Sequence, residues 1–132
     1  MHLAPLTIAL RFVERINAHD VDGLCGLMAG DHRFTDSLGT VVAGRDTVRN
    51  GWTAYFATVP DYQLQITHRF ANDSEVVLLG QARGSYASQG AVEPDSAWST
   101  PVAIRASIRG GLVGEWQVYA DNEPLREKMR RR

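Results

Sequence analysis

The chain is poor in the residues that carry several kinds of chemistry. A single cysteine, Cys25, excludes an internal disulfide and suits a reducing compartment. It sits beside Leu24 and near Leu27 and Met28, with no cation or histidine arranged to form a thiolate. The histidines, His2, His19, His32 and His68, show no paired ligand spacing, so no metal is expected. No glycine-rich phosphate loop is present, because Gly110-Gly111 reads as a hairpin turn. No Ser-His-Asp order has motif support, and no cofactor is expected. Arg11, Glu14 and Arg15 interrupt the apolar character of the N-terminal segment, and no basic segment precedes it. Neither a signal peptide nor a membrane span is expected, and the default location is cytoplasmic. A net charge of −1 gives no reason to expect nucleic acid or an anionic membrane as partner. The one basic run, Arg130 to Arg132, reads as a solvated tail.

What is present suits one domain over residues 1–132, with 44% hydrophobic residues to build its core. Leu6, Leu10, Val13 and Ile16 recur at helical spacing. Asp20 reads as the N-cap of a second helix that buries Leu24, Leu27 and Met28 and stops at Gly30. A strand from about His32 to Asp36 follows, then a turn at Ser37-Leu38-Gly39 and a short returning strand from Thr40 to Ala43. After Gly44 a third helix carries Val48, Trp52, Tyr55, Phe56 and Val59 along one side, and Pro60 closes it.

Beyond Pro60 the apolar period changes from helical to two. Leu64, Ile66, His68 and Phe70 share one face of a strand. Asn72-Asp73 turns it into a strand over residues 76–86, and 87–97 reads as a polar hairpin loop. Strands over 98–109 and 112–120 complete the meander. Trp98, Thr100, Val102, Ile104, Ala106 and Ile108 share one face of the first of these. Helices followed by a long antiparallel meander imply an α+β fold, with the helices on one face of a curved sheet.

Three local sequences carry a family resemblance: Asn17-Ala18-His19-Asp20, Phe34-Thr35-Asp36-Ser37-Leu38-Gly39, and Gly114-Glu115-Trp116-Gln117-Val118-Tyr119-Ala120-Asp121. From Leu6 to Asp121 the chain resembles the superfamily of nuclear transport factor 2, the ketosteroid isomerases and the SnoaL-like polyketide cyclases. The resemblance implies a cone-shaped α+β barrel, with three N-terminal helices packed on a curved, mostly antiparallel sheet. It also implies that Asp36 matches the general base of the isomerases. Their two oxyanion-hole donors do not carry over, because Phe12 and Ile104 fill those positions. The final-strand acid of the related limonene epoxide hydrolase falls at Val118, and the region of its other acid, Gly80 to Gly84, also lacks a carboxylate. The cyclases place an acid near the end of the last strand. Asp121 is the candidate, although alternation turns Ala120 inward and Asp121 outward.

Each candidate has a functional and a structural reading. A carboxylate in an apolar cavity can deprotonate a carbon beside a carbonyl, and Asp36 could do this or cap its own turn. Trp52 could donate its indole N–H to a ligand or simply pack, with Phe56 one turn along and Tyr55 competing for the cavity. His68 could be a second titrating group or a core residue. Trp98 and Trp116 are expected to line the cavity, together with Phe12, Ile104 and Val118. The other sheet face carries Arg69, Arg83, Arg105, Arg109, Glu115, Gln117 and Tyr119. By analogy with the superfamily, that face suits a homodimer. Three functions stay open: a cofactor-free isomerase, cyclase or hydratase with Asp36 as base; a binding module for a small apolar molecule; or a dimeric adaptor with a vestigial pocket.

Overall fold

The computed structural model describes residues 2–130. Helix α1 (Pro5–Asn17) begins at a proline, where no helical N–H is needed, and buries Ile8, Ala9, Phe12, Val13 and Ile16. Leu6 and Leu10 lie half-buried at the border of that stripe. Asn17 fastens the helix end to the sheet. Its Nδ2 donates to the Leu64 carbonyl at 2.9 Å, and its Oδ1 accepts from the Leu64 N–H at 2.8 Å.

Asp20 caps α2 (Val21–Leu27), accepting from the Gly23 N–H at 2.8 Å. This helix ends short of the expected Gly30. Met28 turns extended, pairs with Val113 and opens strand β1 (Met28–Thr35). Strand β2 (Val41–Ala43) folds back on β1, and Gly44, with φ of 95°, starts α3 (Arg45–Thr58). The meander comprises β3 (Gln63–Ala71), β4 (Glu75–Gly84), β7 (Trp98–Arg109) and β8 (Leu112–Ala120). A small ribbon of β5 (Ala87–Ser88) and β6 (Ala91–Val92) lies within the polar segment.

A fourth helix, α4 (Glu123–Arg130), follows β8, in a stretch to which the sequence pattern assigns no element before the basic run at Arg130. Leu125 is its one buried residue, too little apolar stripe to mark it beforehand. Arg130 ends this helix, while Arg131 and Arg132 of the basic run lie outside the described residues.

The large sheet has the order β2-β1-β8-β7-β4-β3, with β1 and β8 parallel and the other neighbours antiparallel. Strands β2 and β3 are its edges. The α+β cone is therefore an open curved sheet rather than a closed barrel, with four helices instead of three among the described residues. Helix α1 packs against β3, β4, β7 and β8, and α3 against β1 and β2.

Element lengths decide where space remains. At 1.5 Å per residue, α1 is roughly 20 Å long, whereas β7 at ~3.4 Å per residue extends about 40 Å. The helix therefore covers only part of the inner face. Beneath it lie Val76, Ala106 and Trp116 in one cross-strand row and Leu78 and Ile104 in the next, all essentially inaccessible.

Strand β3 changes face part-way. Ile66 pairs with Gly80, but His68 pairs with Leu79, so Thr67 is an extra residue in a β-bulge. The bulge turns His68 and Phe70 to the outer face, where both are exposed. This corrects the inward placement of His68, because strict alternation holds only while pairing is regular.

The bulge is packed against a glycine. A Cβ at Gly80 would stand 1.9 Å from the Gln65 carbonyl oxygen, and backbone cannot yield as a flexible side chain does. Gly80→Ala should lower unfolding free energy in urea by at least about 2 kcal/mol, in the range of overpacked interiors. An unchanged midpoint would refute this account of the bulge.

His32 supplies a second test. It is wholly buried and stacks on Phe12 with ring centroids 6.0 Å apart. Its Nδ1 donates to the Val113 carbonyl at 2.7 Å, and Nε2 has no partner among the described residues. Burial pushes its pKa below the ordinary 6.5, against the opposing pull of the Val113 bond. The charged side chains acting on it are Glu115, Arg109 and Asp31. The unfolded chain takes up this proton first as pH falls. Stability is therefore lost progressively below pH 6.5, down to the lower folded-state pKa, by at most about 1.4 kcal/mol per pH unit. Urea midpoints between about pH 7.5 and 5 should fall more steeply for the native chain than for His32→Asn. Equal slopes would remove His32 from the acid response.

Candidate functional site

Where α1 leaves the sheet uncovered, α3 stands over the far ends of the strands and encloses a cavity of about 350 Å³. That volume suits a small ligand. Its floor is Ala82 of β4, Thr100 and Val102 of β7, and Val118 and Ala120 of β8. These positions follow from cross-strand register: Ala82 pairs with Thr100, and Val102 with Ala120. Helix α3 contributes Val48, Gly51, Trp52 and Tyr55.

An aromatic wall runs along the cavity. Successive ring centroids lie 5.7 Å apart for Phe34–Trp52, 6.5 Å for Trp52–Tyr55, 5.0 Å for Tyr55–Tyr62 and 6.1 Å for Tyr62–Trp98. All five residues line the space. Trp52 and Tyr55 both reach it, so they are not the alternatives that helical spacing suggested. Burial pushes the Tyr55 and Tyr62 phenols well above their ordinary pKa, which keeps both hydroxyls protonated near neutral pH.

Asp36 follows β1 directly and lines the cavity half-buried. Its Oδ1 accepts from the Leu38 N–H at 2.9 Å and the Thr40 N–H at 3.0 Å. The capping reading and the cavity-facing reading are thus both realised. Oδ1 is tied to the turn, while Oδ2 has no hydrogen bond among the described residues. Beside it, Asn122 Nδ2 donates to Ser37 Oγ at 2.7 Å, joining the turn to the end of β8, and both residues line the cavity.

Other candidates lie elsewhere. Phe12 and Trp116 pack on each other at 4.4 Å between ring centroids, beneath α1. Ile104 pairs with Val118 but is 1% exposed and lies outside the cavity lining. Phe56 stacks on His19 at 4.4 Å, turned toward the junction of α1 and α2. These four are core residues: Trp116 and Ile104 lie on the part of the sheet that α1 covers, while Phe12 and Phe56 face inward from α1 and α3. Asp121 is exposed, and its Oδ1 accepts from the Glu123 N–H at 2.9 Å at the start of α4. His68 is excluded by the bulge.

The sequence reading missed Tyr62, Thr100, Ser37 and Asn122 as lining residues. Thr100 lies on the inward face that alternation gives it, but its position beyond α1 depends on a separate helix and leaves no mark in the strand's own pattern. Tyr62 lies in the short connection between α3 and β3, where no periodicity marks it.

The lining contains one carboxylate and no lysine, arginine or histidine among the described residues. Nor does any group of three His, Cys, Asp or Glu residues there suit a metal ion. An anion in this cavity would meet no compensating positive charge among the described residues.

An open α+β cone with a cavity between its third helix and the sheet defines the nuclear transport factor 2-like class. Within it, the chain belongs to the SnoaL-like domain family, whose sequence profile matches residues 9–116. Solved structures share the fold. A cystatin-fold protein of Novosphingobium aromaticivorans is 24% identical, with a TM-score of 0.76 over 88% of this chain and 97% of that one. A protein of Catenulispora acidiphila with a ketosteroid isomerase-like fold, crystallised with trimethylamine, is 19% identical, with a TM-score of 0.75 over 89% and 86%. A Shewanella denitrificans protein assigned as a SnoaL-like polyketide cyclase is 16% identical, with a TM-score of 0.82 over 96% of both chains. Comparison with curated proteins finds no match. No helix among the described residues is long and apolar enough to cross a membrane.

Proposed function

We propose that this chain is a cofactor-free isomerase, cyclase or hydratase acting on a small apolar carbonyl compound, with Asp36 as general base. The observation that carries the reading is a lone carboxylate on an apolar cavity, one oxygen fixed by its turn and the other unengaged. Oδ2 takes a proton from the carbon beside the carbonyl, and the C–H electron pair moves into the enolate. Reprotonation at another carbon gives isomerisation; attack of the carbanion on a second carbonyl opens its C=O π bond and closes a ring, and the alkoxide takes the proton back from the Asp36 carboxyl. The assignment of a SnoaL-like relative as a polyketide cyclase agrees with this chemistry. A cytoplasmic setting suits the single free thiol.

The alternative is a binding module that holds such a molecule without turning it over. Asp36→Asn separates the two, because the amide oxygen can still accept from Leu38 and Thr40 while basicity is lost. β-Tetralone, a bicyclic ketone with acidic C–H bonds, serves as probe. In heavy water the native chain should accelerate deuterium uptake into it, and Asp36→Asn should reduce that rate at least about a hundredfold. No acceleration by the native chain would leave the binding module, and equal acceleration by the two proteins would remove Asp36 as base.

We further propose a homodimer through the outer sheet face. Phe70 and Val77 are exposed cross-strand neighbours there, and Tyr119 is exposed in the adjoining row with Leu79 and Ala103. Arg105 lies among them, paired with Glu75 at 2.7 Å and with Glu115. An apolar patch around a compensated ion pair suits a self-complementary contact. Sedimentation should give twice the chain mass, and Phe70→Glu combined with Tyr119→Glu should give the monomer. A native monomer at micromolar concentration would count against an interface of standard size.

A further inference from the structure

We infer that the hydroxyls of Tyr55 and Tyr62 are the paired donors that bind the ligand's carbonyl oxygen, in place of donors at Phe12 and Ile104. This deepens the proposed function and rests on its reading of the ligand as a carbonyl compound.

Three observations converge. The two rings meet edge to face, 5.0 Å between centroids, and both line the cavity. Neither hydroxyl makes a hydrogen bond among the described residues, although Tyr62 is only 8% exposed. The buried side-chain polar atoms that lack both a partner and surface are His32 Nε2, Trp52 Nε1 and Trp98 Nε1. The phenol oxygens are not among them, so each keeps accessible surface, on a ring that lines the cavity. The indole N–H groups are sealed in and cannot reach a ligand without a side-chain shift.

Tyr62 is also held in place. Its N–H donates to the Val59 carbonyl at 3.1 Å, and its own carbonyl accepts from His19 Nε2 at 2.8 Å. An apolar wall with two protonated hydroxyls offers hydrogen bonds to an acceptor oxygen without offering positive charge. Negative charge developing on that oxygen during proton removal strengthens the same bonds.

Binding of β-tetralone and of tetralin, the hydrocarbon of the same ring system, can be followed by tryptophan fluorescence, with the thermal midpoint as a check on folding. Tyr62→Phe and Tyr55→Phe should each weaken β-tetralone about tenfold, as for one hydrogen bond lost. Tetralin affinity should change less than about twofold, because ring packing is kept. Asp36→Asn should leave ketone affinity intact while abolishing deuterium uptake. Persistence of uptake in that variant defeats Asp36 as base but not the phenol pair. The phenol pair is overturned if both tyrosine variants bind the ketone as the native chain does, or lose ketone and hydrocarbon equally. It is also overturned if the native chain does not prefer the ketone to the hydrocarbon.

Discussion

The constraint on which the rest of the structure depends is a mismatch of length. A helix advances less than half as far per residue as a strand, so α1 cannot cover the sheet that its own residue count could match as a strand. Where it does cover the sheet, Phe12, Trp116, Ile104 and Leu78 make a dry core. Beyond it, Thr100, Val102, Val118 and Ala120 keep the same inward direction but have no helix of α1 above them. One periodic pattern thus yields core at one end and cavity at the other.

This explains what was legible. The switch from helical to two-residue period marked the boundary between α3 and the sheet, and the strands at 98–109 and 112–120 were read to the residue. Inward faces could be read because they depend on alternation alone. Which inward residues meet a ligand could not, because that depends on how far a separate helix reaches. Trp98 and Trp116 have equivalent sequence signals, yet one lines the cavity and the other lies beneath Phe12.

The remaining misreadings have other causes. His68 was misplaced because a bulge is a property of two strands: the extra Thr67 has meaning only opposite the Gly80–Leu79 step. Tyr62 was missed because a connection has no period to read. The Ser37–Asn122 bond spans 85 residues, beyond the reach of local pattern. Asp36 could be named because the residues around it resemble a family, yet its two fates, turn cap and cavity carboxylate, could not be seen to coexist.

That coexistence fixes the carboxylate in place. A carboxylate on an untethered turn would be free to reorient, whereas Oδ1 here is held by two backbone donors of the turn it closes. The same turn is tied through Ser37 to Asn122, at the junction of β8 and α4. The start of the C-terminal helix and the turn that carries the carboxylate are therefore joined at the cavity, although 85 residues separate Ser37 from Asn122. At the far end of the aromatic wall, the Tyr62 backbone donates to the Val59 carbonyl after α3 and accepts from the His19 side chain after α1. The polar groups of the site thus stand on separate supports, with apolar rings between them. A polar atom in the cavity finds hydrogen-bonding groups at these two supports, whereas the rings between them offer apolar surface.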